Sequence, residues 1–314
     1  MRVSPLLDQT DSVSFDAPEL FLQSVPRTIV HRAAVSEVLA TGLQRVSDDH
    51  FRVGVQWPRS HSYYGRVGGR WHDPMLLAES IRQALLVIAH QAYEVPMGHK
   101  FLSSSLDCRI TPQGARLTER PAHILLDIRC HNIKRRGRTI GAMDLEVECL
   151  RDGEPVGSGA ISAQCVPEAA YRRLRGERAG NEPGLPVPDS VIPALVGRTS
   201  AFDVVLGVTN MDRVWTLRYD SDHPVLFDHP VDHVPGMVVM EAARQSALAV
   251  LGAPDGLMVA CESSYQKYVE FDSACLVTAT PRPDADTGAG PRTVSVSFNQ
   301  GGATAATCEV QILV

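Results

Sequence analysis

One stretch of the chain occurs twice, and this duplication restricts the folds that the chain can adopt. Residues 61–83 read HSYYGRVGGRWHDPMLLAESIRQ, and residues 223–245 read HPVLFDHPVDHVPGMVVMEAARQ. The differences 223 − 61, 241 − 79 and 245 − 83 all equal 162, and Met75 and Met237 keep the same spacing. Copies of one motif at one fixed offset indicate an internal repeat. We therefore predict two units of the same fold in a single chain.

Each copy predicts one buried helix. The first is expected from Asp73-Pro74 to about residue 92, and the second over 237–251, after a Pro-Gly pair. Both helices are almost entirely apolar, which is typical of a helix wrapped by other structure. A carboxylate and a guanidinium on such a helix should be paired, functional, or both. The strongly polar positions three and four residues apart share one face; they are Glu79, Arg82 and Gln83, then Glu241, Arg244 and Gln245.

Strand-like runs surround each predicted helix in the same order, two before it and four after it. A sheet curled round one long helix fits this order, so the expected fold class is α+β. Such a unit leaves one sheet edge open, and pairing of two units is expected. The predicted strands are 43–46, 51–57, 101–110, 123–130, 140–149 and 155–166, then 204–208, 214–219, 263–271, 275–280, 293–298 and 304–314, with a long turn at 284–291.

The same pattern predicts the domain organisation. We expect a flexible N-terminus over 1–24, a first domain over 25–168, a linker over 169–200 and a second domain over 201–314. The linker is rich in proline and begins with four clustered arginines. A solvated surface is the favoured interpretation of this cluster, and a docking patch for an acidic carrier protein is the alternative. The arginines are Arg172, Arg173, Arg175 and Arg178.

Composition excludes several classes of function. The net charge is −6 and no long basic run occurs, so a nucleic-acid partner is not expected. No apolar run reaches about 18 residues, and the N-terminus lacks a signal-peptide core, so no membrane association is expected. Seven scattered cysteines without a C-x-x-C motif suit reduced thiols in a cytoplasm. No glycine-rich nucleotide loop and no compact zinc pattern occur, so we predict neither a cofactor nor a metal.

The second copy resembles known enzymes. Its motif PGMVVMEAARQ, residues 235–245, is similar to the central-helix signature of hotdog-fold β-hydroxyacyl carrier-protein dehydratases. The whole string 223–245, with the duplicated helix and the chain length, resembles the A-factor biosynthesis (AfsA-type) γ-butyrolactone synthases. The resemblance extends from about Val30 to the C-terminus, and segments 72–83 and 223–245 carry most of it.

The resemblance implies a double hotdog fold, in which each of two tandem domains wraps a curved antiparallel sheet around a central helix. It implies an enzyme that transfers a β-ketoacyl group from acyl carrier protein, or from acyl-CoA, to the hydroxyl of dihydroxyacetone phosphate. The ester then condenses toward a butenolide phosphate, a precursor of γ-butyrolactone, butenolide or furan signals that control secondary metabolism. The acidic and basic helix residues of the family carry over onto Glu79, Arg82, Glu241 and Arg244. An assisting histidine is either His229 or His233.

The implied chemistry gives these residues roles. A buried glutamate with a raised pKa could accept the proton of the attacking hydroxyl. The free N–H groups at the start of the second helix could stabilise the carbonyl oxygen, and Gly236 would let a substrate approach. Arg244 is a candidate for the phosphate. The proposed catalytic set is Glu241, Arg244, Glu79, Arg82 and His233; the proposed substrate-binding set is Gly236, Met237, His229, His223, His72 and Gln245.

Structural interpretations compete with these roles. Glu241 and Arg244 could form only an ion pair that holds the helix, and the same applies to Glu79 and Arg82. Gln245 could bond the backbone between helix and sheet, and the loop histidines could serve in packing. The alternative functions are a hotdog thioesterase or dehydratase and a non-catalytic acyl-binding regulatory module. Association of two chains into a homodimer is compatible with the pattern.

Overall fold

A computed structural model describes residues 18–283 and 290–314 of the chain. Residues 1–17 of the expected flexible N-terminus and most of the turn expected at 284–291 therefore lie outside the described residues. Within the described ranges, no helix is both long and apolar enough to cross a bilayer. The α-helices are α1 (Met75–Gln91), α2 (Pro112–Ala115), α3 (Glu168–Arg175) and α4 (Gly236–Leu251).

The described strands form one continuous antiparallel sheet of twelve strands. Those of the first half are β1 (Ala40–Ser47), β2 (His50–Trp57), β3 (Lys100–Ile110), β4 (Ala122–Arg136), β5 (Thr139–Arg151) and β6 (Glu154–Val166). Those of the second half are β7 (Leu206–Gly207), β8 (Val214–Leu217), β9 (Leu257–Tyr265), β10 (Cys275–Pro281), β11 (Arg292–Gln300) and β12 (Ala303–Leu313).

The strand order confirms the predicted duplication. Along the sheet the order is β1-β2-β4-β5-β6-β3 and then β9-β12-β11-β10-β8-β7, so the second half repeats the first in reverse. The two halves meet where β3 pairs with β9, with Cys108 opposite Cys261. Each half offers one open strand edge to the other, and backbone hydrogen bonds across this junction satisfy both edges.

The two long helices lie on the inner face of the sheet. Almost every side chain of α1 and α4 is buried, because the surrounding strands leave neither helix a wide solvent face. α4 contacts β9, β10, β11 and β12, while α1 contacts the strands of the first half. This arrangement is the hotdog fold: a curved sheet with a long central helix in each half. The predicted fold class, α+β with a double hotdog, is confirmed.

Three predicted boundaries differ from the structure. Strand β9 begins at Leu257, not at residue 263, because 257–261 are all buried and show no polar alternation that marks a half-exposed strand. Part of the expected flexible N-terminus is ordered: Leu20 packs against Leu125 and Leu150. The expected linker is partly helical, because α3 occupies 168–175 and docks Arg175 into the second half. With these corrections we propose 25–168 and 201–314 as the two domains.

A glycine on β6 provides a test of how closely α1 packs on the sheet. A Cβ at Gly159 would press on Ile81 Cδ1 of α1 and lie 2.5 Å from the carbonyl oxygen of Asp107. We expect Gly159→Ala to lower the free energy of unfolding by roughly 1–3 kcal/mol, because an overpacked core must shift. Gly184→Ala is the control, since no atom lies within 4 Å of its added Cβ. Equal urea midpoints for both variants would contradict this packing.

Candidate active site

The first ion cluster is built around Glu79 on α1, and we call it the α1 cluster. Arg82 donates two hydrogen bonds to the carboxylate, from Nη2 to Oε1 at 2.8 Å and from Nε to Oε2 at 2.9 Å. Arg32 Nη2 lies 2.7 Å from Oε1, and Gln83 donates to the same oxygen at 2.7 Å. The Glu79 side chain is only 1% exposed. One carboxylate is therefore shared by two guanidinium groups in the interior.

The second cluster, which we call the α4 cluster, repeats this arrangement around Glu241. Arg198 Nη2 donates to Glu241 Oε1 at 2.7 Å, and Gln245 donates to the same oxygen at 2.7 Å. Arg244 Nη2 lies 2.6 Å from Oε2. The Glu241 side chain is 0% exposed. The predicted residues Glu241, Arg244 and Gln245 are thus brought together, as are Glu79 and Arg82.

Each cluster ties the two halves together. Arg32, from the first half, donates through Nη1 to the carbonyl of Val225 in the second half at 3.2 Å. Arg198, from the second half, donates to the carbonyl of Tyr63 in the first half at 2.6 Å. Tyr63 and Val225 are 162 residues apart, the offset of the repeat. The two clusters are therefore related by the same internal symmetry as the sheet.

The ion pairs overturn the expectation of a glutamate base with a raised pKa. Burial alone would raise the pKa of Glu241, but Arg198 and Arg244 lower it below its ordinary value. Burial likewise opposes Arg32 and Arg82 at Glu79, whose pKa is also lowered. The expected direction of the shift was wrong because sequence could not show a second arginine at each carboxylate. Both glutamates remain ionised at neutral pH and hold guanidinium groups in place.

These pKa shifts predict how stability changes with acid. The pKa of Glu79 is lowered from 4.5 on folding, so its ionisation stabilises the protein above that value, and this contribution is lost as pH falls. We expect the urea midpoint to decrease progressively below about pH 4.5. Glu79→Gln should flatten that slope, whereas Glu146→Gln, at an outer-face carboxylate that is 76% exposed, should leave it unchanged. Equal slopes for all three proteins would contradict the assignment.

An aspartate distinguishes the two clusters. Asp73, just before α1, accepts a bond from Met75 N at 2.9 Å and thereby caps the helix. The same Oδ1 accepts from Arg244 Nη1 at 2.6 Å, across the boundary between the halves. The repeat offset places Pro235 at the corresponding position before α4, where no side chain caps the helix. The α4 cluster thus contains a carboxylate for which the α1 cluster has no counterpart.

His233 is held by a network that sequence reasoning did not predict. Its Nδ1 lies 2.7 Å from Asp232 Oδ1. Tyr171 donates to Asp232 Oδ1 at 2.6 Å, and Arg175 Nε lies 3.3 Å from Oδ2. In the tautomer that lets the ionised Asp232 accept a hydrogen bond from Nδ1–H, Nε2 of this 26% exposed imidazole carries no proton. This aspartate–histidine pair lies three residues before the first turn of α4.

The linker arginines divide into two groups. Arg175 is 3% exposed in its side chain and bonds Glu270 through both Nη atoms at 2.7 Å. The expectation of a solvated side chain is therefore wrong for Arg175, because α3 docks against the loop that precedes α4. Arg172 is 72% exposed and pairs with Glu168 on its own helix, as a solvated arginine should.

Three other residues of the predicted substrate-binding set are held by contacts within the protein. His223 uses both ring nitrogens inside the protein, Nδ1 accepting from Val225 N and Nε2 facing Asp203 at 3.2 Å, so it packs its loop. Gln245 accepts from Val205 N at 2.9 Å and joins helix to sheet. These contacts favour the structural interpretation of His223 and Gln245 over substrate binding. Met237 is a buried core residue.

Two of the remaining candidates lie beside the clusters, and the third, Gly236, lies against Tyr265. Burial lowers the pKa of His72 to about 4, and its Nε2 is a buried atom without a hydrogen bond. His229, 41% exposed, interacts electrostatically with Arg82 of the α1 cluster. Gly236 accepts a bond from the Tyr265 hydroxyl at 3.3 Å. His72 thus borders the α4 cluster through its neighbour Asp73, whereas His229 borders the α1 cluster.

Sequence reasoning missed two of the four arginines. Arg32 and Arg198 lie outside the duplicated string, but 198 − 32 and 203 − 37 both equal 166, so a second, weaker repeat surrounds them. Glu37 and Asp203 occupy matching positions in that repeat: the carbonyl of each accepts a bond from Gln83 or Gln245. A search for repeats at neighbouring offsets would have found this signal.

Two cavities in the described residues lie elsewhere. One, of about 720 Å³, is on the outer face of the sheet between β3, β4, β5, β6 and β9. The other, of about 200 Å³, lies between 185–188 of the linker and strands β8 and β10. No predicted site residue lines either cavity. The Glu79 and Glu241 side chains are 1% and 0% exposed, and neither of these two cavities reaches them.

Comparisons with known proteins agree with this architecture. The profile of the A-factor biosynthesis hotdog domain matches residues 14–167 and 181–314. A 2-oxo-3-(phosphooxy)propyl 3-oxoalkanoate synthase from Streptomyces virginiae is 42% identical over 285 residues, covering 91% of this chain and 96% of that protein. A synthase with the same name from Streptomyces coelicolor is 35% identical over 280 residues and 88% of each chain. The chain belongs to the AfsA family of A-factor biosynthesis hotdog proteins.

The acyl-ACP thioesterase from Bacteroides thetaiotaomicron superposes with a TM-score of 0.49 at 12% identity, covering 83% of this chain and 97% of that one.

Proposed function

We propose that this protein transfers a β-ketoacyl group from a carrier-protein thioester to the hydroxyl of dihydroxyacetone phosphate, forming a 2-oxo-3-(phosphooxy)propyl 3-oxoalkanoate. The observation that carries the proposal is the similarity to the Streptomyces virginiae synthase over nearly the full length of both chains. The ester is an intermediate in the formation of γ-butyrolactone-type signals. Acyl-CoA is the alternative donor, because it offers the same thioester.

The transfer requires a proton acceptor, and His233 has the suitable geometry. The hydroxyl oxygen attacks the thioester carbonyl while its proton moves to Nε2 of His233; the C–S bond then breaks, and the sulfur leaves as a thiol by taking that proton back from His233. Asp232, 2.7 Å from Nδ1, stabilises the positive charge that appears on the ring. His233 therefore takes the role of base, and Asp232 positions it. Neither ionised glutamate is needed for this step.

The tetrahedral intermediate carries a negative charge on the former carbonyl oxygen. The first backbone N–H groups of α4, at Gly236 and Met237, precede the regular helical bonds and are the proposed donors to this oxygen. Val238 N already bonds to the carbonyl of Pro235 at 2.9 Å, so the donors are confined to the first turn. His233 and these amides adjoin one another in sequence, and we propose that the base and the donors act on one carbonyl.

The acceptor phosphate requires a cationic partner. A guanidinium group binds phosphate oxygens with two parallel bonds, and the clusters supply Arg82 and Arg244 on the two central helices. Glu79 and Glu241 hold these guanidinium groups in fixed orientations, which lowers the entropy lost when the phosphate binds. We therefore assign the glutamates to positioning, not to proton transfer.

Mass spectrometry of a reconstituted reaction tests the function. Purified protein is mixed with a β-ketoacyl carrier protein and dihydroxyacetone phosphate, and we expect the ester only when both substrates are present. Dihydroxyacetone without the phosphate is the matched acceptor control and should react much more slowly. Release of free β-keto acid at the same rate without any acceptor would identify a thioesterase and contradict the proposal.

Location and assembly follow from the same proposal. All seven cysteines are free thiols in buried positions, which supports a reducing compartment and hence the expected cytoplasmic location. The donor is an acidic carrier protein, and the exposed arginines of α3 remain its candidate docking patch. Association of two chains into a homodimer remains a prediction, which size-exclusion chromatography with light scattering would test.

A further inference from the structure

The two clusters are equivalent by repeat but differ in their exposure. Arg244 is 7% exposed and has two carboxylate partners, Glu241 and Asp73. Arg82 is 22% exposed, and Glu79 is the carboxylate with which it pairs among the described residues. Asp73 contacts Nη1 of Arg244, whereas Arg82 uses Nε and Nη2 for Glu79, and its Nη2 also donates to the carbonyl of Val30 at 3.3 Å. No hydrogen bond or ion pair to a described residue involves Nη1 of Arg82, and we call this side its open edge.

The carboxylate nearest to the α1 cluster does not close it. Asp228 accepts bonds from Ala33 N at 2.6 Å and Ala34 N at 3.0 Å, so both of its oxygens are used by backbone. It is not within ion-pair distance of Arg82 in the described residues, although it interacts electrostatically with Arg32. His229, next to Asp228, is 41% exposed and borders Arg82. Arg82 is therefore accessible to solvent at 22% exposure, and no described carboxylate other than Glu79 pairs with it.

The internal symmetry relates the open edge of Arg82 to the start of α4. Asp73, at the start of α1, contacts Arg244 of the other half at 2.6 Å. By the same repeat relation, we expect position 235, at the start of α4, to lie opposite Arg82. Position 235 is proline, which has no carboxylate to fill the gap. His233 and the first amides of α4 lie within two residues of this position.

We propose that Arg82 in the α1 cluster binds the phosphate group of the substrate. Asp73 pairs with Arg244 and thereby makes the α4 cluster a structural clasp, by which we mean a cluster that holds the two halves together and does not bind substrate. This inference rests on the proposed function, because it selects which of the two repeated sites works. The phosphate monoester of the acceptor is the favoured ligand. The phosphodiester of the carrier's pantetheine arm has the same chemistry and is separated from it by the test.

Pro235→Asp tests the proposal by giving the second half the carboxylate that the first half has. The new aspartate should cap α4 and pair with Arg82, as Asp73 does with α1 and Arg244. We expect binding of dihydroxyacetone phosphate, measured by isothermal titration calorimetry, to weaken at least tenfold, with a melting temperature equal to or above that of the wild type. Pro235→Ala, the matched control, should bind within twofold of the wild type.

Arg82→Gln should weaken the same binding at least tenfold, whereas Arg109→Gln, on the outer face of the sheet and 53% exposed, should not. The titrations are repeated with the holo acyl carrier protein, whose pantetheine arm is attached through a phosphodiester: loss confined to one of the two ligands identifies which phosphate the site takes. Unchanged affinity of Pro235→Asp for both ligands, or a loss with Arg244→Gln but not with Arg82→Gln, overturns the proposal. Because binding needs no turnover, failure to form ester would refute the function while leaving the phosphate site intact.

Discussion

Replacing His233 with alanine is expected to lower kcat for acyl transfer by roughly 10²–10⁴-fold, because a positioned general base contributes about that factor. Its Nδ1 lies 2.7 Å from Asp232 Oδ1, which orients the ring, and the side chain is 26% exposed. KM for dihydroxyacetone phosphate should change little, since the imidazole accepts a proton and does not bind the phosphate. Single-turnover mass spectrometry of the ester separates the two parameters.

The matched control is His131→Ala, at a histidine on β4 that is 50% exposed and lies far from α4 in the strand order. It should keep the wild-type kcat. Asp232→Asn should lower kcat less than His233→Ala and shift the pH profile, because the ring loses the carboxylate that stabilises its charged form. A His233→Ala enzyme with wild-type kcat would show that another group removes the proton.

Replacing Glu241 with glutamine is expected to lower the free energy of unfolding by roughly 3–5 kcal/mol, because it breaks a buried ion pair and leaves a guanidinium uncompensated. The side chain is 0% exposed and lies against Arg198 and Arg244. Asp73 would remain as the partner of Arg244, but Arg198 would lose the carboxylate that it contacts at 2.7 Å. Urea denaturation monitored by tryptophan fluorescence measures the change.

Two comparisons make this result specific. Glu262→Gln removes a carboxylate that is 61% exposed on the outer face, and it should change stability by about 0.5 kcal/mol or less. Glu79→Gln should cost less than Glu241→Gln, because solvent reaches Arg82 and screens its charge. If Glu79→Gln lost more stability than Glu241→Gln, the α1 cluster and not the α4 cluster would be the structural clasp.

Local pattern was sufficient for the regular elements. The alternation of residues 142–149 and the apolar run after Asp73-Pro74 predicted β5 and α1 correctly. Side chains return to the same face every two residues in a strand and every 3.6 residues in a helix, so the sequence of each element shows which of its faces is buried. Strand β9 was misplaced at its start because its first five residues are buried without alternation. The residue at which β9 begins depends on the position of this strand in the centre of the sheet. A short stretch of sequence does not carry that information.

Part of the site could also be predicted from sequence. The polar face Glu79–Arg82–Gln83 and its copy were visible because i, i+3 and i+4 spacing is a property of one helix. The direction of the carboxylate pKa shift was not predictable, because it depends on Arg32 and Arg198, which lie 47 and 43 residues away in the chain. Without those partners, burial alone would have raised both pKa values.

The sequence by itself determined that this chain is a tandem repeat, where its two buried helices lie, and which polar side chains they carry, since each of these follows from spacing along the chain. Only the tertiary structure decided that each carboxylate is shared by two arginines and that Asp73 of the first half pairs with Arg244 of the second. It also decided that His233 lies within hydrogen-bond distance of Asp232. The physical reason is that charge pairing and exposure depend on atoms brought together across the repeat boundary, where position in the sequence gives no distance.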